Sequence, residues 1–183
     1  QRDPSITSLE DGGFIIAWES QGQDVDSQGD EESTSYYGVY AQRYKDNGDT
    51  DGSEFRVNTY TNSDQNNPSI TGLEDGGYVV TWQSYGQDGD GNYYNVYGQR
   101  YDDSGTAQGD EFQINTATSH DQERPSITVL EGGDFITVWR DEGRADVYGQ
   151  MFSVIKLIMY YYGVVICPQD FLTLDVLIVV ATT

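Results

Sequence analysis

One phrase occurs three times along the chain. Pro4-Ser-Ile-Thr-Ser-Leu-Glu-Asp-Gly-Gly-Phe-Ile-Ile-Ala-Trp18 returns over Pro68 to Trp82 and again over Pro125 to Trp139. All three tryptophans of the chain stand at its last position. The copies begin 64 and then 57 residues apart, and most of the difference lies in an acidic stretch after Trp18. A second phrase repeats in step: Tyr37-Gly-Val-Tyr-Ala-Gln-Arg-Tyr44 matches Tyr94 to Tyr101, and Gly52-Ser-Glu-Phe-Arg-Val-Asn-Thr59 matches Gly109 to Thr116. Units of this length stack on their neighbours, because one alone cannot bury its apolar face.

Within a unit the signals are those of short strands. Pro4 to Leu9 reads as a first strand with its proline at the start, where a missing N–H is tolerated. Glu-Asp-Gly-Gly supplies a hairpin turn. Phe14 to Trp18 is apolar throughout and predicts a strand buried on both faces. Tyr37 to Tyr44 alternates, with Gly38, Tyr40 and Gln42 on one face and Val39, Ala41 and Arg43 on the other. Phe55 to Thr59 reads as the fourth strand. Helical periodicity is absent, and glycine (21 residues) recurs throughout the units. The expected fold class is therefore all-β: tandem four-stranded antiparallel units resembling propeller blades, in an incomplete propeller or an open array. Each unit closes with Gln-x-x-Pro and the chain opens inside that phrase at Gln1, so an upstream unit is expected.

The third unit departs from the template after Gln150. An apolar sequence, Met151 to Thr183, replaces the expected Arg-Tyr-Asp and Glu-Phe-x-Val-Asn-Thr. Of 31 acidic residues only Asp170 and Asp175 lie beyond position 150. The organisation read from this is unit 1 over 1–67, unit 2 over 68–124, a partial unit 3 over 125–152, and an aberrant tail over 153–183. A reading-frame change accounts for so abrupt a switch. A membrane anchor is the rival reading, although neither apolar run reaches the ~18–20 residues of a spanning helix. In a third reading the tail supplies strands to the array, to which Val176 to Val180 is suited.

Thirty-one acidic residues against nine basic ones give a formal net charge of −22. Such a surface disfavours nucleic acid and anionic membranes as partners, since both need a positive footprint. The acids cluster after each tryptophan. Asp88, Asp90 and Asn92 alternate with glycines, and Asp24 and Asp26 stand two apart in unit 1. Alternating oxygen ligands around a sharp turn suit a hard cation, so Ca²⁺ is the expected cofactor. Gln99, eleven residues after Asp88, removes the EF-hand reading. The alternative is a solvated acidic loop. Asp46 to Gly52 has similar spacing, but its unit 2 counterpart lacks the middle acid, so it reads first as a turn.

The Glu10-Asp11 and Glu74-Asp75 pairs could be cast as catalytic acid and base, yet the hairpin turn explains them. His120, the one histidine, reads as a loop residue, and Cys167, the one cysteine, has no activating context. Tyr36, Tyr37, Tyr93 and Tyr94 border the acidic loops. Aromatic rings beside acids and amides can bind a glycan, while cross-strand tyrosine pairs are the structural alternative.

Taken together, the phrase from Leu73 to Asp90, with Val96 to Asp102 and Glu111 to Thr116, resembles a tandem repeat of very large secreted or surface proteins. These occur in marine bacteria, beside hemolysin-type (RTX) calcium-binding repeats or cadherin-like modules, and in ciliates. The resemblance covers about residues 1–150. It implies an extracellular or cell-surface location, a calcium-associated adhesion role and no catalytic residues. The RTX nonapeptide itself is absent, and a sialidase Asp-box fails because Asp75 precedes Trp82 by seven residues rather than five. The expected function is a non-catalytic, adhesin-like repeat module, with further repeat units of the same parent chain and a surface glycan or protein as partners. A glycan-binding (lectin-like) module is the alternative, a glycoside-active enzyme ranks below it, and plain adaptation to high salt would also explain the acid excess.

Overall fold

A computed structural model describes residues 1–23, 36–89 and 93–153, together with the backbone of Val176–Val180. The fold is all-β. Three four-stranded antiparallel sheets follow one another along the chain: β1 (Arg2–Ser8), β2 (Phe14–Gln21), β3 (Tyr37–Tyr44) and β4 (Thr50–Arg56); β5 (Gln65–Gly72), β6 (Tyr78–Tyr85), β7 (Tyr94–Tyr101) and β8 (Ala107–Gln113); and β9 (Gln122–Val129), β10 (Phe135–Asp141), β11 (Asp146–Phe152) and β12 (Val176–Val180). In each sheet the strands lie in chain order, as in a propeller blade. The first strands β1, β5 and β9 are neighbours, and β5 and β9 each also lean across the second and third strands of the preceding sheet. The three blades form an open, propeller-like array.

The core lies between the blades. Ile15, Ala17, Val39 and Ala41 of the first blade meet Ile70, Tyr78, Val80 and Trp82 of the second. Leu73, Val79, Val96 and Ile114 of the second blade meet Ile127, Phe135, Trp139 and Phe152 of the third. The alternation expected for β3 holds, with Val39 and Ala41 turned to the next blade. Aromatic pairs recur at one register: Phe14–Tyr44, Tyr78–Tyr101 and Phe135–Phe152 each stack with centroids 4.9 Å apart. Phe55 and Phe112 of the fourth strands then reach edge-on to Tyr101 and Phe152 of the next blade, which ties the outer rim.

Three strand boundaries differ from the sequence reading; the second strands, expected to end at Trp18, run on to Gln21, Tyr85 and Asp141. The first strands begin two or three residues before their prolines rather than at them. The residue preceding each proline is left-handed, with φ of 49° at Asp3, 52° at Asn67 and 54° at Arg124, and the register with the second strand slips there. The bulge accommodates the proline. It also turns the Asn67 N–H to Glu19 Oε2 and the Arg124 N–H to Gln83 Oε1 of the preceding blade, each at 2.8 Å. The fourth strands lie earlier, at Thr50–Arg56 and Ala107–Gln113, because on an exposed outer edge polar residues pair as readily as apolar ones. In the Val-Asn-Thr segment that follows, a buried side chain extends the pairing: Asn58 Oδ1 accepts from Val39 N at 2.8 Å and Asn115 Oδ1 from Val96 N at 2.7 Å.

In the third blade, Val176–Val180 occupies the fourth position, antiparallel to β11 with Met151 opposite Val176 and Val147 opposite Val180. This is the placement in which the tail supplies a strand. Among the described residues no helix is long and apolar enough to cross a membrane.

Candidate functional site

All β2–β3 type loops and the linkers between blades open at one end of the array, since those strands end or begin there together. The hairpins are closed below the loops. Gly22 N donates to Tyr36 O at 3.3 Å, and Gly86 N to Tyr93 O at 3.1 Å. Gln23 and Gln87, the first loop residues beyond these pairs, donate to Glu54 and Glu111 of the fourth strands. In the third unit the loop contracts to a tight turn, where buried Asp141 Oδ1 accepts from Gly143 N at 2.9 Å and Arg144 N at 3.1 Å.

The four tyrosines divide into two kinds. Tyr36 and Tyr93, each 37% exposed, stand at the loop mouths. Tyr37 and Tyr94 are structural. Tyr37 N donates to Asp64 Oδ1 at 3.0 Å and its ring lies under the Arg2 guanidinium at 4.2 Å. Tyr94 N donates to Asp121 Oδ1 at 2.8 Å, its ring packs edge-on to Tyr85 at 5.1 Å, and burial raises the pKa of its hydroxyl. Asp64 and Asp121, one residue before the closing glutamine of each unit, are thus the linker residues that seat β3 and β7. Sequence reasoning missed them, although their shared position before Gln65 and Gln122 was available as a signal.

Of the expected calcium ligands only Asp88 lies among the described residues; Asp24, Asp26, Asp90 and Asn92 lie outside them. Asp88 Oδ2 accepts from the buried Asn95 amide at 2.9 Å, and Asn95 Oδ1 in turn accepts from Asn115 at 2.6 Å. This carboxylate is anchored to the blade through two buried amides. Among the described residues no three His, Cys, Asp or Glu side chains converge to hold a metal ion.

The acid pairs of the opposite end are engaged in their turns. Asp11 Oδ1 accepts from Gly13 N at 2.9 Å and its Oδ2 from Arg43, which together hold its pKa below the usual carboxylate value. Asp75 makes the matching contacts, accepting from Gly77 N at 3.0 Å and from Arg100. The Asp46 to Asp49 part of the other acidic segment is likewise a turn, with Asn47 Oδ1 accepting from Asp49 N at 3.0 Å, and Thr50 to Gly52 already belong to β4.

A second cluster sits at the loop end between the second and third blades. His120 Nδ1 lies 3.3 Å from Ser119 Oγ and 3.7 Å from Asp141 Oδ1, and its ring is edge-on to Tyr93 at 6.4 Å. Gly143 lies against this ring so closely that a Cβ there would fall 2.2 Å from it. Ser, His and Asp are present, but serine and aspartate address the same ring nitrogen, whereas a nucleophilic triad needs them on opposite nitrogens. A cavity of about 430 Å³ opens at the outer rim, lined by Arg100, Asp110, Phe112, Phe135 and Phe152 among others. At the first joint Arg43 donates to the Asp103 carbonyl in that place. The matching segment of unit 3 lies outside the described residues.

No family model matches the chain, and no curated protein matches it. Among solved structures, an endo-arabinase from Bacteroides thetaiotaomicron is similar at 15% identity over 83% of this chain and 56% of its own, with a TM-score of 0.52. A protein of unknown function from Dyadobacter fermentans aligns at 11% identity over 84% of this chain and 65% of its own, with a TM-score of 0.41. The chain thus spans just over half of the first of these structures and about two thirds of the second. At these identities the first likeness concerns the fold alone.

Proposed function

We propose that this chain is a non-catalytic, glycan-binding repeat module of an extracellular, adhesin-like surface protein. The observation that carries this reading is the pair Tyr36 and Tyr93. They are exposed aromatics at one repeat position, each beside a loop rich in carboxylates and amides. Two flat apolar faces flanked by hydrogen-bond acceptors suit the faces and hydroxyls of a saccharide. The likeness to an endo-arabinase supports the fold, and the saccharide class rests on the tyrosines. The non-catalytic part rests on the engaged carboxylates of Asp11 and Asp75 and on the shared nitrogen of His120. The surface setting rests on the resemblance of the repeat.

A glycan array probed with the full chain is the test. Binding is expected, with a loss of tenfold or more in Tyr36→Ala/Tyr93→Ala and little change in Tyr37→Phe. A blank array, or binding indifferent to Tyr36 and Tyr93, overturns the reading.

A second reading, that Ca²⁺ orders the loops, is favoured by Asp88, whose anchored carboxylate would present a fixed first ligand to a cation held with Asp90 and Asn92. A melt in CaCl₂ against MgCl₂ at matched ionic strength decides it. A calcium-specific rise in Tm that Asp88→Ala/Asp90→Ala abolishes supports calcium, and equal curves remove it.

A further inference from the structure

The two exposed tyrosines share a repeat position but not their surroundings. Tyr36 and Tyr93 each stand where a hairpin is tied off. In the linker that follows, Ser63 and His120 hold one repeat position, and Tyr60 and Ala117 hold another. At the first joint the Tyr60 hydroxyl donates to Gly86 O at 3.4 Å. Ala117 has no group to do so, and at the second joint the His120 imidazole lies over Gly143, the counterpart of Gly86. The following blades differ too. Gly86 to Tyr93 separates β6 from β7, whereas only Glu142-Gly-Arg-Ala145 separates β10 from β11. The blade after Tyr93 thus carries a tight turn where the blade after Tyr36 carries a longer loop.

His120 is held from its inner side. Ser119 Oγ and Asp141 Oδ1 both address Nδ1, and Gly143 meets the ring at Cγ, Cδ2 and Nδ1. Asp141 is itself buried and fixed by the Gly143 and Arg144 N–H groups. A carboxylate beside Nδ1 favours the tautomer that carries its proton there, which makes Nε2 an acceptor. Nε2 stands on the outer edge of the ring, and 42% of the side chain is exposed. With the Tyr93 ring edge-on to it, a flat apolar face and an acceptor nitrogen lie side by side. The charge around them is acidic. Asp121, Asp141 and Glu142 stand against Arg140, which pairs with Glu142 at 2.9 Å, and Arg144, which donates to the Tyr148 hydroxyl at 3.0 Å.

We infer that His120 is a specificity-determining residue of a saccharide subsite at Tyr93. A neutral sugar stacks on the Tyr93 ring, and one of its hydroxyls donates to His120 Nε2. A uronate or a sulfate would meet the carboxylates instead, and both arginines already have partners. Ser63 offers no ring at the matching place, so the mouth at Tyr36 is the weaker of the two. This rests on the glycan-binding reading and narrows it to one tyrosine and to uncharged saccharides.

The test is a glycan array carrying neutral pentose and hexose oligosaccharides beside uronate and sulfated ones. It is probed with the full chain, and ¹H–¹³C spectra are then recorded with the strongest neutral glycan bound. Neutral glycans should dominate. Tyr93→Ala should weaken binding roughly tenfold or more, and Tyr36→Ala by no more than about threefold. His120→Asn keeps a polar atom at the place of Nδ1, so it should melt with the unaltered chain yet bind roughly tenfold more weakly. His120→Gln restores a polar atom at the place of Nε2 and should bind within about threefold of the unaltered chain. His120 is the one histidine, so its ring signals are unambiguous, and they should shift as the glycan saturates. The spectra use the unaltered chain and decide even where a variant fails to fold. A blank array overturns this inference together with the reading beneath it. Glycan binding overturns the inference alone if the histidine signals stay put, if His120→Asn binds at full strength, if Tyr36→Ala and Tyr93→Ala lose equally, or if uronates or sulfates are preferred.

Discussion

The first and middle blades carry almost the same phrase and bury it differently. Phe14-Ile-Ile-Ala-Trp18 has one face half open, whereas Tyr78-Val-Val-Thr-Trp82 is closed on both. The strands have equal length and equivalent pairing. The difference comes from the neighbours alone: the middle blade is flanked on both sides and the first on one. A repeat of this kind has no core of its own, and its core is a property of the joint.

Tryptophan truncation should separate the two blades most. Trp82→Ala is expected to cost about 3–5 kcal/mol, the range for a fully buried aromatic, and Trp18→Ala roughly half as much. Chemical denaturation of dilute protein measures both. Equal costs would mean that the open face of the first blade is covered. Next come the asparagines that extend strand pairing. Asn58→Ala and Asn115→Ala each strand a buried N–H, at Val39 and Val96, and should cost about 1–3 kcal/mol in either blade. A marked inequality between them would show that the blades differ internally as well as in their neighbours.

The first-strand serines give a smaller, sharper contrast. Ser69→Ala removes the acceptor for Ile127 N and should cost about 1 kcal/mol, while Ser126→Ala, exposed at the array's end, should be near neutral in dilute protein. The smallest expected effect has the opposite sign. The buried Tyr78 hydroxyl finds no hydrogen-bond partner among the described residues, and phenylalanine fills the same position at Phe14 and Phe135. Tyr78→Phe should therefore be neutral or stabilising by up to about 1 kcal/mol at neutral pH. Burial holds the Tyr78 and Tyr101 hydroxyls well above the usual tyrosine pKa. Above pH ~10 the unfolded chain releases these protons and the folded chain keeps them, so stability falls as pH rises. Tyr78→Phe removes its share of that fall, so its advantage should widen on going from neutral to strongly alkaline pH.

Much of the architecture was legible because the repeat fixed it three times over. Phe14, Tyr37 and Tyr44 mark strand ends where alternation and turn residues placed them. The first and fourth strands were misjudged at their boundaries for physical reasons. The left-handed residue before each proline sets up a bulge that no local propensity announces, and beyond the fourth strands the Asn58 and Asn115 side chains join the Val57 and Ile114 N–H groups in extending the pairing. The site was legible only in part. Four tyrosines with one sequence signature separate into two exposed and two structural ones, and that division depends on Asp64 and Asp121 reaching across from the linker. The approach of His120 to Asp141 and Gly143 joins residues 21 and 23 positions apart, beyond any spacing rule.

The hairpins are tied off at Gly22–Tyr36 and Gly86–Tyr93 before the variable residues begin. Beyond each tie the chain can lengthen at small expense, since each doubling of a loop adds only about 0.6 kcal/mol of closure entropy. The three units already differ here, from a long acidic loop to a tight turn, on one unchanged frame. Each blade therefore behaves as a socket whose insert can be exchanged, so the loops can change between copies of the repeat while the scaffold stays constant.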